Sequence, residues 1–209
     1  MSPSHIPTRT TCVEFGPLIQ AHFIERVNRF RVQANIEGQE VSAYLANPGR
    51  LGELLVSGRT LWLRHSPKAG RKTAYDVVLI QHAQSLVSLN SHLPNALIDL
   101  ALQQGALAEF RLYDHIRREV ALGHSRLDFC LRDKDNQRHW IEVKSVTLVE
   151  QSGAEFPDAP TKRGRRHLDE LRGAVEAGDQ ATVIFVVQRS DAASFSPHDV
   201  TDPAFGMAL

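Results

Sequence analysis

Two short segments of this 209-residue chain, SRLDFCL and HWIEVKSV, carry acids and an amine at spacings suited to phosphate chemistry. Each is rich in strand-forming residues, and a strand sends successive side chains to opposite faces. In the first segment Leu127, Phe129 and Leu131 share one face and Asp128 takes the other. In the second, Ile141 and Val143 share a face, with Glu142 and Lys144 on the opposite one. Neighbouring strands lie about 4.8 Å apart, so Asp128 can sit beside Glu142. Two carboxylates in the middle of a sheet are costly unless a cation or hydrogen bonds compensate them. Mg²⁺ suits that place, because it takes hard oxygen ligands and keeps waters for phosphate chemistry. On this reading Asp128, Glu142 and Lys144 are the catalytic set, and Asp128 and Glu142 are the metal ligands. Lys144 would orient water or neutralise charge developing on a phosphate. The plainer reading is a structural Glu142–Lys144 pair with Asp128 bonded to Arg126. An acid, a turn and E-x-K on adjacent strands between two helices favours the site.

The surrounding elements must hold those strands. NALIDLALQQ, Asn95 to Gln104, has helical spacing of apolar residues, and Gly105 is its stop. YDHIRREVALG precedes the two motif strands as a third. TKRGRRHLDELRGAVEAG follows as a second helix, capped by Thr161 and ended by Gly178, with Leu168, Leu171 and Val175 as its buried stripe. ATVIFVVQ is the pattern of a strand buried on both faces. The order α-β-β-β-α-β is that of an α/β fold. Lys162, Arg163, Arg165 and Arg166 crowd the first turn of the second helix, where the helix dipole disfavours cations. Together with free backbone N–H groups they make a candidate phosphate contact, which Arg126 extends. The segment before them, GAEFPDAPTKRG, is expected to be a shaped loop. Its Pro157-Asp158 is not a nuclease motif's PD, because it follows E-V-K.

The N-terminal half is different in kind. RFRVQANI and QEVSAYLA flank a Glu37-Gly38 turn, and RTLWLRHS, TAYDVVLIQHA and SLVSLNS follow. These are five short strands without a long helix, which suits an OB-like barrel, and NPGRLGELLVSG between them is expected to be partly helical. The boundary falls near residue 85, giving an all-β domain over 1–85 and an α/β domain over 86–209. Arg26, Arg29, Arg31, Arg50, Arg59, Arg64, Lys68, Arg71 and Lys72 are candidate phosphate contacts. The loop HSPKAGRK concentrates Lys68, Arg71 and Lys72. Residues 1–85 hold 10 Lys+Arg against 6 Asp+Glu, and residues 86–209 hold 14 against 18, so a net charge of zero hides a mildly basic N-terminal part.

Composition removes several classes. No apolar run approaches the roughly 18 residues of a membrane span, and the N-terminus lacks a signal peptide's apolar core. Two cysteines are too few for a disulfide framework or a Cys-based zinc site. A cytoplasmic protein without membrane contact is expected. The sequence carries no signature of its oligomeric state.

IRREVALGHSRLDF, IEVKSVTL, AEFPDAPTKRGRRHLDELR and FSPHDVTDPAF, with NPGRLGELL and PNALI further upstream, resemble the sugar fermentation stimulation protein A (SfsA) family over nearly the whole chain. The resemblance implies an OB-like barrel followed by a restriction-endonuclease-like domain of the PD-(D/E)xK type. It also implies non-specific DNA binding and a link to the regulation of sugar (maltose) catabolism. By position Asp128, Glu142 and Lys144 match the nuclease triad. Two departures stand out. Leu127 precedes Asp128 where the motif has Pro, and Leu100 occupies the place of a first-helix Glu. Asp99, Glu119 and Glu109 are the substitute acids for that place. The family pattern also runs on by another strand, whereas this chain stops at Leu209.

Three functions are therefore weighed: a non-specific DNA-binding protein on a nuclease-type scaffold, an active Mg²⁺-dependent endonuclease on DNA or RNA, and a sugar- or metabolite-binding protein. Aromatic residues are 7% and unclustered along the barrel strands, which leaves few stacking platforms for sugars or single strands. DNA binding is common to the first two and is the expectation.

Overall fold

The computed structural model describes residues 11–67 and 69–209. They form two compact units, one drawing on residues 15–92, 144–168 and 185–209, the other on 11–14, 93–143 and 169–184.

Strands β1 (Ile19–Asn28), β2 (Arg31–Ile36), β3 (Gln39–Tyr44), β4 (Thr60–His65), β5 (Tyr75–His82) and β6 (Ser85–Ser88) form a sheet in the order β3-β2-β1-β4-β5-β6. Parallel pairing of β3 with β5 closes the first five into a barrel. The interior follows the period-two pattern, with Val32, Ala34, Ala43, Leu45, Leu61 and Leu63 all fully buried. The expected five strands omitted β1 and counted β6 in its place. Two register shifts, between Phe23 and Glu25 and between Arg26 and Asn28, break the alternation of β1 and hide it from pattern reading. NPGRLGELLVSG is a set of turns rather than part helix, and Leu51 takes a left-handed φ of 52° within it.

Helix α1 (Leu93–Gln103) and a 3-10 turn (Ala108–Phe110) lead to β7 (His115–Leu122), β8 (Ser125–Arg132) and β9 (Arg138–Val146). β10 (Leu148–Glu150) and β11 (Gly153–Phe156) form an unexpected hairpin, whose second strand opens the segment expected as a loop. Helix α2 (Lys162–Glu176), β12 (Gln180–Val187), β13 (Ser194–Pro197) and helix α3 (Pro203–Ala208) complete the chain. β7 and β8 pair antiparallel, as do β8 and β9, in a four-stranded sheet of order β12-β9-β8-β7. β13 lies parallel to β11 in a small second sheet.

Helix α2 starts where Thr161 predicts, the hydroxyl accepting from Gly164 N at 3.0 Å. Its buried side carries Leu168, Leu171 and Ala174, while Val175 is 51% exposed, so the expected stripe is corrected by one position at its end. The small Ala174 packs where a β-branched residue was expected. β12 is half-buried along its length rather than covered on both faces, which corrects the reading from its apolar run.

Candidate metal and nucleic-acid site

β8 presents Asp128 from a strand otherwise packed by Leu127, Phe129 and Leu131, each fully buried. The alternation that buries those three turns Asp128 to the other side, where it is half-buried. Its carboxylate is held from two elements. Asn95, in the first turn of α1, donates its amide to Oδ1, and the backbone N–H of Val143 on β9 donates to Oδ2 at 2.7 Å. Bonds from two different elements fix where the carboxylate points.

Antiparallel pairing of β8 with β9 sets Phe129 opposite Ile141, which puts Asp128 and Glu142 on neighbouring strands. Glu142 is only 4% exposed and Lys144, two residues on, 9%. Both belong to the face of β9 opposite Ile141 and Val143. Lys144 Nζ lies 3.5 Å from His167 Nδ1, and Arg163 Nε donates to His167 Nε2 at 3.3 Å. The buried His167 ring thus stands between the Lys144 ammonium and the Arg163 guanidinium.

The substitute acids separate. Asp99 accepts from Arg118 Nη1 at 2.9 Å and from Gln103 Nε2 at 3.1 Å, which ties it to β7 and to its own helix. Glu109 is exposed in the 3-10 turn. Glu119 is exposed as well, but the register pairs Arg118 with Phe129 and Val120 with Leu127, leaving Glu119 level with Asp128. Its φ of 52° interrupts the ladder there, a conformation that costs a non-glycine residue about 1–3 kcal/mol. Among the described residues no three His, Cys, Asp or Glu side chains converge as a metal cluster.

The basic candidates separate too. Lys162 and Arg166 are exposed on α2, and Arg126 is exposed on β8. Arg163 binds His167, and Arg165 lies 3.7 Å from the buried Asp202 carboxylate, so those two are partly committed to the fold. Arg71 turns back on its loop, donating to Ser66 O at 3.1 Å and to Asp76, whereas Lys72 is exposed. Lys68 lies outside the described residues. Arg26 is spent on the carbonyls of Asn47, Gly49 and Arg50, and Arg59 on those of Glu53 and Leu54.

The family model for the sugar fermentation stimulation protein RE domain matches residues 92–209, and that for the SfsA N-terminal OB domain matches residues 24–89. The chain belongs to the sugar fermentation stimulation protein family. The homologue from Moorella thermoacetica is 48% identical over 193 residues, 92% of this chain and 83% of that protein. The Chloroflexus aurantiacus homologue is 43% identical over 203 residues, covering 97% and 78% respectively. The structure of Pyrococcus furiosus SfsA in complex with Ca²⁺ superposes with a TM-score of 0.87 at 30% identity, over 96% of this chain and 85% of that one. The fold is thus an OB barrel joined to a restriction-endonuclease-like α/β part.

Three residues with contacts between distant segments carry no sequence signal: Asn95, His167 and Asp158. Asn95 lies in the quoted PNALI segment, as a polar residue at the start of an apolar helix. His167 sits on the α2 stripe next to Leu168, and a histidine there reads as ordinary core. Asp158, set aside as no part of the nuclease motif, accepts from Arg50 N at 2.8 Å and so holds the NPGR loop.

Proposed function

We propose that this chain is a DNA-binding protein of the sugar fermentation stimulation family that carries a metal-dependent, nuclease-type site at Asp128, Glu142 and Lys144. The observation that carries the proposal is the clamped Asp128 carboxylate beside a strand that buries Glu142 and Lys144. Burying acids and an amine together costs stability, and chains keep such groups chiefly at functional sites.

The donor set fits a divalent cation. Asp128 and Glu142 offer hard oxygens from adjacent strands, and two carboxylates with retained waters is the usual complement for Mg²⁺. A family member from Pyrococcus furiosus was solved with Ca²⁺, a cation of the same oxygen preference. When bound, such an ion polarises a phosphate and lowers the pKa of water beside it. Asp128, fixed by Asn95 and Val143 N–H, would present a preset ligand oxygen. Lys144 would meet negative charge on the scissile phosphate, with His167 limiting where its ammonium points. Lys162, Arg166, Arg126 and Lys72, all exposed, would contact the backbone of DNA, or of RNA, without reading its sequence. Glu119 is the best placed of the substitute acids, because it stands level with Asp128.

We also propose residues 1–85 and 86–209 as the two domains, a cytoplasmic location, and a role in regulating sugar (maltose) catabolism in keeping with the family's description. The sugar- or metabolite-binding alternative rests on the barrel fold alone, which does not establish a use.

The test uses labelled duplex and single-stranded DNA with Mg²⁺, Mn²⁺ or EDTA, comparing wild type with Asp128→Ala/Glu142→Ala. Metal-dependent cleavage lost in the variant supports the enzyme. Binding without cleavage reduces the proposal to a binding protein on a nuclease scaffold, and neither activity sinks it.

A further inference from the structure

We propose that the outer wall of the barrel, where β3 meets β5, binds unpaired DNA by stacking bases on Phe30 and Tyr44. The inference rests on the reading of the chain as DNA-binding, but not on the carboxylates of β8 and β9.

The register builds the surface. Tyr44 pairs with Arg31 on one side and with Asp76 on the other, and Asp76 pairs in turn with Arg64. The next residues along these strands, Val32, Ala43, Leu45, Leu63 and Val77, fill the barrel, so Tyr44, Asp76 and Arg64 face outward. Phe30, in the turn between β1 and β2, stacks with Tyr44 at a centroid distance of 6.4 Å and an interplanar angle of 27°. Both rings stay open to solvent, at 43% and 36% exposure. This corrects the expectation that the barrel offers no clustered aromatics. Residues 30 and 44 are brought together only by the β2–β3 hairpin.

Cations attend both rings. The Arg71 guanidinium lies 5.5 Å from the Tyr44 centroid and that of Arg29 5.8 Å from the Phe30 centroid. Beside Tyr44 a cavity of about 310 Å³ is lined by Arg64, Arg71 and Asp76, with Asn90 and His92 also contributing. Asp76 bonds both arginines and fixes their planes, yet leaves the cavity lining one positive charge in excess. Flat rings accept the face of any base, and neighbouring guanidinium groups accept phosphate. A neutral sugar could accept hydrogen bonds from the arginines but would gain nothing from their charge. A duplex keeps its base faces in its own stack and cannot use the rings.

Fluorescence anisotropy in EDTA, which keeps divalent cations out of the measurement, tests this with labelled oligo(dT) and a blunt duplex of equal length. The proteins are wild type, Phe30→Ala/Tyr44→Ala, and Phe30→Trp/Tyr44→Trp. The alanine pair should weaken oligo(dT) binding about tenfold or more, leave duplex binding unchanged, and be rescued by the tryptophan pair. Unchanged oligo(dT) binding in the alanine pair, or an equal loss for both ligands, overturns the inference. Wild type that binds duplex but not oligo(dT) overturns it alone. Wild type that binds neither overturns both it and the DNA-binding reading.

Discussion

Asn95 and Asp128 meet across 33 positions of chain, the amide Nδ2 of one donating to the carboxylate Oδ1 of the other. The bond joins the first turn of α1 to the middle of β8 and leaves the second oxygen to Val143 N–H. Asn95→Ala should lower stability by about 1–2 kcal/mol, the worth of a charge-assisted bond. It should weaken divalent-cation binding about 10–100-fold, as loss of an orienting partner usually does. Denaturant unfolding and calorimetric titration with Mn²⁺ give the two numbers. An unchanged Mn²⁺ affinity would show that Asp128 is not a ligand whose aim matters.

Glu142 gives a second test, because a carboxylate 4% exposed beside another acid should trade stability for function. In EDTA, Glu142→Gln should melt at or above the wild-type temperature. Saturating Mg²⁺ should raise the wild-type melting temperature by mass action and leave the variant where it was. A variant that melts well below wild type in EDTA would assign Glu142 to structure instead.

His139, three residues before Glu142 on β9, sets a pH dependence of its own. The ring is 8% exposed, with Nδ1 3.0 Å from Tyr113 Oη and Nε2 2.8 Å from Thr182 Oγ1. Burial pushes its pKa below 6.5, since the charged ring would lose solvation. The unfolded chain therefore binds a proton that the folded one resists. The contribution is complete above about pH 6.5 and is lost as pH falls from there towards the folded value. Urea midpoints measured between pH 8 and pH 5 should fall for wild type and flatten in His139→Gln. Parallel slopes for the two proteins would refute the assignment.

Gly49 and Asp158 bear on the barrel loop. A Cβ at Gly49 would stand 2.5 Å from Asp158 Oδ2 and 3.0 Å from Asn47 Oδ1. Gly49→Ala must push Asp158 off the Arg50 N–H and should cost about 1–2 kcal/mol, the loss of an exposed charge-assisted bond plus strain. Asp158→Ala removes the acceptor without the clash and should cost about 1 kcal/mol. Thermal unfolding of both single variants and the double variant, whose effects should not add, checks the coupling.

Much of this was legible from residue order, and the failures have physical causes. Strict alternation placed Leu127, Phe129 and Leu131 against Asp128, and Ile141 and Val143 against Glu142 and Lys144, because each strand there is regular. β1 escaped because two bulges put its apolar residues out of phase. Val175 was assigned to the core of α2, where the packing takes Ala174, since spacing alone does not choose between adjacent positions. β10 and β11 are three and four residues long, too short to show a period. Asn95, His167 and the Phe30–Tyr44 stack depend on contacts between distant segments, which no local pattern contains.

The Asp158 contact also bears on how the chain is made. Arg50 N–H waits for an acceptor 108 residues downstream, and the hydroxyl of Ser85 meets that of Ser190 across 105. Ribosomes add about 5–20 residues per second, so the barrel's strands emerge roughly 5–20 seconds before the residues that brace their loops. During that interval the nascent barrel has its hairpins but not its outer fastenings. Contacts of such long sequence separation also slow folding of the released chain. A nascent chain stalled just before residue 158 should be digested at the NPGR loop by a protease that leaves the finished protein intact.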